Sequence, residues 1–223
     1  MVLLVAGREA RLFDGVGDQL TPPPRSSFPM VAPEEPSTTK PAAVTSFFRQ
    51  VDQALGTHLR LHPAPLVLVG AERTLAEFQR VSRNTGRLAG TVTGNLTSAP
   101  LTELVPRIRT VLERYLSSRQ QEALALIERR RSRNKLVDGV AAAWLAARTE
   151  RPEMLSVEEG FVFPARISDD GDFLVAAQDT DHPDVIDDAV DELIEPVLQR
   201  GGWVAFVDDR ALAEHDRVVL TLH

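Results

Sequence analysis

Residues 182–223 constrain the fold of this chain more than any other stretch. Val185, Ile186, Ala189, Val190, Leu193, Ile194, Val197 and Leu198 recur at the spacing of a single helical stripe. Pro183 suits a first helical position, acids fill the early turns where the helix dipole favours them, and Gly201-Gly202 end the run. Two apolar segments of strand length follow, Trp203–Val207 and Val218–Leu222. A helix delivered through two glycines into buried strands must cover a sheet. This part of the chain is therefore read as a layered α/β domain.

The same alternation runs upstream. Met1–Ala6 reads as a strand, Gly7-Arg8-Glu9 as a turn and Ala10–Phe13 as a second strand. Residues 21–44 are proline-rich and polar, so a long exposed, mobile loop is expected there. An amphipathic helix over Thr45–Leu55, a buried strand over Pro65–Val69, a helix over Glu72–Val81 and a strand over Leu88–Val92 come next. A long helix after Pro100 carries an apolar stripe from Leu104 to Ile127 and ends near Arg131, with Pro106 predicting a kink or a later start. Beyond it the pattern predicts a helix over Lys135–Arg148, a strand over Met154–Val157, and a hairpin of Phe161–Ile167 and Phe173–Ala177 turning at Asp169-Asp170-Gly171. These elements make two layered α/β domains with mixed sheets, residues 1–118 and 119–223.

Composition narrows the function classes. An apolar content of 43% supports a packed core, and no stretch has the roughly 18 consecutive apolar residues that a membrane helix needs. The first residues lack the basic start and long apolar centre of a secretion signal, so a cytoplasmic protein is expected. There is no cysteine, which removes disulfides, thiolate chemistry and cysteine-ligated metal. The five histidines have no metal-ligand spacing; His58 and His62 stand four apart, but Pro63 and Pro65 argue against a helical metal site. His182 reads as a helix-start residue, and Asp187, Asp188, Asp191 and Glu192 as a solvated helix face. No phosphate-binding loop or nucleophile elbow is present, and no cofactor or metal is expected.

The order and spacing of these elements, with the character of the last forty or so residues, resemble the central and C-terminal domains of the archaeo-eukaryotic peptide-chain release factor and Pelota superfamily, in the form of its bacterial members. The C-terminal domain of that family is similar to ribosomal proteins that bind RNA kink-turns. The resemblance implies work on ribosomes and a protein partner for the C-terminal domain. In release factors the loop after the first hairpin carries Gly-Gly-Gln, whose glutamine reaches the peptidyl-transferase centre. The matching loop here, 21–44, contains neither glycine nor glutamine; the nearest amides are Gln19 and Gln50. No catalytic residue can be carried over. The sequence opens directly on the central-domain hairpin, so the codon-reading role of the family's first domain is not assigned.

Charge supplies candidate contacts. Residues 1–150 hold 20 Lys+Arg against 14 Asp+Glu, and residues 151–223 hold 5 against 18. Such asymmetry suits a nucleic-acid-facing part and a protein-facing part. Arg80, Arg83 and Arg87 form one arginine-rich stretch, and Arg129, Arg130, Arg131, Arg133 and Lys135 form another. Arginine pairs well with phosphate, so these eight are the candidate contacts to ribosomal RNA. The second group also complements the C-terminal end of the long helix. Aromatic residues, at 5%, are too few for single-stranded base stacking. The leading expectation is a non-catalytic translation-associated factor that binds the ribosome through its more basic central domain. The alternatives are an adaptor or stress-response protein without ribosome binding and, third, a hydrolase of nucleic acid or peptidyl-tRNA. The absence of a converging acid, base and nucleophile weighs against the last.

Overall fold

The computed structural model describes residues 1–33, 41–96, 99–171, 173–177 and 182–223. The chain divides into two compact units, Met1–Tyr115 and Leu116–His223.

In unit 1 the apolar runs form a buried mixed sheet. Its strands are β1 (Val2–Val5), β2 (Glu9–Val16), β3 (Gln19–Thr21), β4 (Met30–Val31), β5 (Leu66–Gly70) and β6 (Leu88–Thr93). The order is β3-β2-β1-β5-β6, with β4 also on β2. The hairpin partners β1 and β2 are antiparallel, whereas β5 lies parallel to both β1 and β6. Parallel strands are covered on both faces, which is why β1 and β5 are apolar throughout. Leu3, Val5, Leu66 and Leu68 face α1 (Pro41–Leu61) and α2 (Glu72–Val81), meeting Phe48, Leu55 and Phe78. Val2, Leu4, Val67 and Val69 face the start of α3 (Leu101–Arg131), meeting Leu104 and Ile108.

Gly70 closes β5 where β1 ends. A Cβ on Gly70 would overlap the Val5 carbonyl oxygen and press on the Leu75 side chain. Backbone cannot yield as a flexible side chain can. Gly70→Ala is expected to cost about 1–3 kcal/mol, read as a lower urea midpoint with an unchanged denaturant slope.

Unit 2 is built on a four-stranded sheet of β7 (Leu136–Asp138), β8 (Pro152–Glu158), β12 (Trp203–Val207) and β13 (Val218–Leu222), ordered β12-β8-β13-β7. Strand β12 is parallel to β8, and β13 is antiparallel to both β8 and β7. On one face α4 (Val140–Thr149) and α5 (Ala189–Gln199) bury Trp144, Ala147, Leu193 and Val197 against Leu155, Val157 and Leu220. On the other, Ala123, Leu126 and Ile127 of α3 meet Met154, Val207 and Val219. A small sheet of β9 (Ala165–Ile167), β10 (Leu174–Ala176) and β11 (Val185–Ile186) sets Ala165 and Leu174 against the first of these faces. Both units are thus mixed-sheet α/β layers.

Three expectations are corrected. Residues 21–44 are not one loose loop. Thr21 ends β3, Met30 and Val31 pair with Ala10 and Glu9, and α1 begins at Pro41. Phe28, Met30 and Ala32 pack on the core below, because these scattered apolar side chains find a surface without needing a period. The mobility expected for residues 34–40 lies outside the described residues. Helix α3 runs from Leu101, directly after Pro100 as the sequence indicates, with Pro106 inside its first turns rather than delaying its start. Leu136–Asp138, expected in a helix, instead pairs with Val219–Thr221 on β13, and α4 starts only after Gly139, whose φ is +79°. Finally, the last helix does not start at Pro183. Val185 and Ile186 pair with Arg166 and Ala165, and Asp188 caps the helix by accepting hydrogen bonds from the Val190 N–H (3.0 Å) and the Phe163 N–H (3.1 Å). Position 185 is four before 189, so a strand residue fell into helical register.

Candidate nucleic-acid interface

Helix α1 is two-faced. Phe47, Phe48, Val51, Leu55 and Leu59 are buried, while Arg49, Gln53, Gly56 and Arg60 recur every three to four residues along another stripe. The last turn of α2 sets Arg80 opposite that stripe, and the chain then turns through Ser82, Arg83 and Asn84. Between them lies an open groove of about 850 Å³, lined by Arg49, Arg60, Arg80 and Arg83 among others.

One buried carboxylate holds the groove's far wall. Asp52 is 7% exposed. Its Oδ1 accepts from Ser82 Oγ at 2.5 Å and its Oδ2 from the Arg83 N–H at 3.0 Å. Its backbone carbonyl accepts from Asn84 Nδ2 at 2.9 Å. Asn84 reaches α1 because position 56 has no side chain; a Cβ there would stand 2.7 Å from Asn84 Nδ2. Both Asp52 oxygens accept from the turn, so neither is paired with an arginine side chain. Arg60 donates to Thr57 Oγ1 at 3.3 Å. Among the described residues, Arg49, Arg80 and Arg83 make no ion pair.

The structure therefore gathers Arg80 and Arg83, two of the eight candidates, and adds Arg49 and Arg60. Arg87 ends the short 3-10 turn Thr85–Arg87. Arg49 and Arg60 do not stand out in the sequence because neither sits in a basic run. The signal that could have found them is their shared helical face, and the helix was expected to stop at residue 55, short of Arg60.

The other five candidates fall in unit 2. Arg130 is bidentate with Glu153, Nε to Oε2 at 2.7 Å and Nη2 to Oε1 at 2.8 Å. Those hydrogen bonds hold the Glu153 carboxyl below the usual glutamate range, against a desolvation that pushes it up. Arg131 lies between Glu128 at 3.6 Å and Glu214 at 3.5 Å and meets His215 Nε2 at 3.1 Å. Arg129, Arg133 and Lys135 are exposed and make no ion pair among the described residues. With the division at Tyr115, unit 1 carries 13 Lys+Arg against 10 Asp+Glu, and unit 2 carries 12 against 22. The basic excess of residues 1–150 thus owes much to arginines that belong to the acidic unit.

Other clusters read as structure. His58 is buried beside Asp14 at 3.5 Å, and its ring meets that of His62 at a tilt of 43° with centroids 4.9 Å apart. Among the described residues no three His, Asp or Glu side chains gather to hold a metal ion, and no helix is long and apolar enough to cross a membrane.

The fold is similar to archaeal Pelota in a model of ribosome-bound archaeal Pelota and ABCE1, at 12% identity and a TM-score of 0.55, covering 100% of this chain and 61% of that one. It is also similar to S. cerevisiae Dom34, a translation termination-like factor involved in RNA quality control pathways and interacting with Hbs1. There the identity is 12% and the TM-score 0.50, over 99% of this chain and 62% of Dom34. The chain thus spans about three-fifths of these relatives' length, and at such identity the likeness is one of fold. No curated protein matches. The profile of bacterial archaeo-eukaryotic release factor family 3 matches residues 1–151, and with two-thirds of its length inside that match the chain belongs to this family.

Proposed function

We propose that this protein is a non-catalytic, translation-associated factor that binds the ribosome in the cytoplasm. The observation that carries the reading is its fold, shared along the whole chain with a Pelota described in a ribosome-bound state. Family membership and the arginines of unit 1 support it. On this reading residues 1–118 act as a release-factor central domain and residues 119–223 as the C-terminal domain. Arg80, Arg83 and Arg87 contact ribosomal RNA, and Arg129, Arg133 and Lys135 are free to add to that contact. The excess of acids in unit 2 suits a protein partner rather than RNA.

Peptide release is not part of the proposal. Hydrolysis of the peptidyl-tRNA ester needs a group delivered into the transferase centre, and no Gly-Gly-Gln occurs anywhere in the sequence. The test is co-sedimentation with bacterial ribosomes, paired with a peptide-release assay on a termination complex. The protein is expected to pellet with ribosomes at low salt. With about four phosphate contacts, affinity should fall about a hundredfold between roughly 50 and 200 mM salt. No release above background is expected. Failure to pellet at low salt would favour an adaptor that kept the fold without the ribosome.

A further inference from the structure

We propose that the groove between α1 and the Ser82–Asn84 turn binds a phosphodiester backbone, with Arg49, Arg60, Arg80 and Arg83 as phosphate contacts and Asp52 as the residue that positions the turn. The source of that backbone, ribosomal RNA, rests on the ribosome-binding reading; the groove's chemistry does not.

Several arginines of this protein are tied to carboxylates, as Arg73 is to Glu77, Arg130 to Glu153 and Arg217 to Glu158. Among the described residues the four groove arginines have no such partner, and the acid in the groove lining accepts from Ser82 Oγ and the Arg83 N–H. Four guanidiniums gathered around one groove repel one another, and an external polyanion relieves that repulsion. The remaining lining is largely amide and hydroxyl, from Gln53, Thr57, Ser82 and Asn84, with no aromatic ring. Without a stacking platform, such a surface reads backbone rather than bases. Arg49 and Arg60 are eleven residues apart on one helix, which is about 16 Å along its axis. A single phosphate cannot touch both, so the ligand is a chain of phosphates. An acidic peptide is the other polyanion, but its docking calls for apolar pockets, and Val81 is the only large aliphatic side chain in the lining.

The wall is also built in advance. Asp52 binds the turn at Ser82 and Arg83, and Asn84 occupies the gap that Gly56 leaves. Fixing Arg83 before binding lowers the entropy cost of engaging the ligand. This assigns Asp52 an effect of unexpected sign. If it acted only as a charge, its removal would strengthen polyanion binding. If it positions the turn, removal weakens binding.

The test is fluorescence anisotropy of the full chain with an RNA duplex of about 20 base pairs, across the salt range of about 50–200 mM. Arg49→Ala/Arg60→Ala/Arg80→Ala/Arg83→Ala is expected to bind at least about tenfold more weakly at low salt, with the log–log salt slope reduced by about one for each arginine–phosphate pair removed. Arg49→Ala/Arg60→Ala should show about half that slope change, which keeps the test decisive if the fourfold variant folds poorly. Arg73→Ala should stay within about twofold of wild type, because Arg73 is paired with Glu77 and lies outside the groove lining. Asp52→Ala should weaken binding, and Asp52→Asn, which keeps an acceptor, should restore part of it. Unchanged affinity in the fourfold variant overturns the proposal. So does tighter binding by Asp52→Ala, or a polyglutamate peptide that competes as well as RNA at equal charge. The same variants in ribosome sedimentation separate the two readings. If wild type and the fourfold variant pellet equally, the groove assignment fails while ribosome binding stands. If neither pellets but duplex binding is abolished in the variant, the groove stands and ribosome binding fails.

Discussion

Trp144→Ala is expected to destabilise unit 2 by about 3–5 kcal/mol, the usual range for emptying a large aromatic site in a core. Trp144 is 1% exposed and lies where α4 meets the central sheet, in the cluster that also holds Leu155, Leu193 and Leu220. Its indole Nε1 donates to the Gly171 carbonyl at 3.0 Å, so the residue also pins the turn between β9 and β10. The Arg148 guanidinium covers the ring at 3.4 Å from its centroid. Alanine removes the packing, the hydrogen bond and the cation–π contact together. Fluorescence from the one other tryptophan, Trp203, and far-UV circular dichroism through a urea titration would measure the loss. A shift under about 1 kcal/mol would mean that the surrounding side chains collapse into the space.

Glu158→Ala should cost about 2–4 kcal/mol, because it leaves the buried Leu212 N–H without an acceptor and the half-exposed Arg217 guanidinium without its carboxylate. Glu158 ends β8 and is 2% exposed. Its Oε1 accepts from the Leu212 N–H at 2.9 Å and its Oε2 from Arg217 Nε at 2.7 Å. These bonds tie down the 208–217 segment, in which Arg210, Asp216 and Arg217 all have positive φ. Burial pushes the Glu158 carboxyl up. Arg217 and the backbone donors Leu212 and Arg210 outweigh that, and the net position is below the ordinary glutamate range. A carboxyl depressed in the folded state stabilises the fold above its unfolded pKa, about 4.3 for glutamate. That contribution disappears as pH falls through the lower folded value. Glu158→Gln should therefore lie below wild type at neutral pH, with the gap narrowing as pH drops below about 4. A gap of constant size down to pH 3 or so would mean that the carboxylate's charge contributes nothing.

Much of the architecture was legible from local pattern. Val2–Val5, Leu66–Gly70, Trp203–Val207 and Val218–Leu222 are apolar runs of strand length, and they form the centres of both sheets. Helix α2 occupies Glu72–Val81, the span that its periodicity indicates. Such elements are readable because burial on one or both faces writes a period of 2 or 3.6 directly into the residues. The site was half legible. Arg80 and Arg83 announce themselves as a basic run, whereas Arg49 and Arg60 are single cations on a helix face.

The local order of residues was enough to determine element type wherever one element buries its own face, and with it the two α/β layers. It also settled that no Gly-Gly-Gln is present. Pairing between distant segments was decided only in the folded chain. Val185 and Ile186 satisfy a helical period, yet β9 offers their backbone groups partners, and Asp188 finds both Phe163 and Val190 only once that hairpin is in place. Arg130 looks free in sequence until Glu153, 23 residues away, takes up its guanidinium. The groove depends on Asp52 reaching a turn 30 residues later and on a glycine that lets Asn84 approach α1. Hydrogen bonds and charge pairs act through space over a few ångströms, so which polar groups are spent inside the fold and which remain for a partner is a tertiary property.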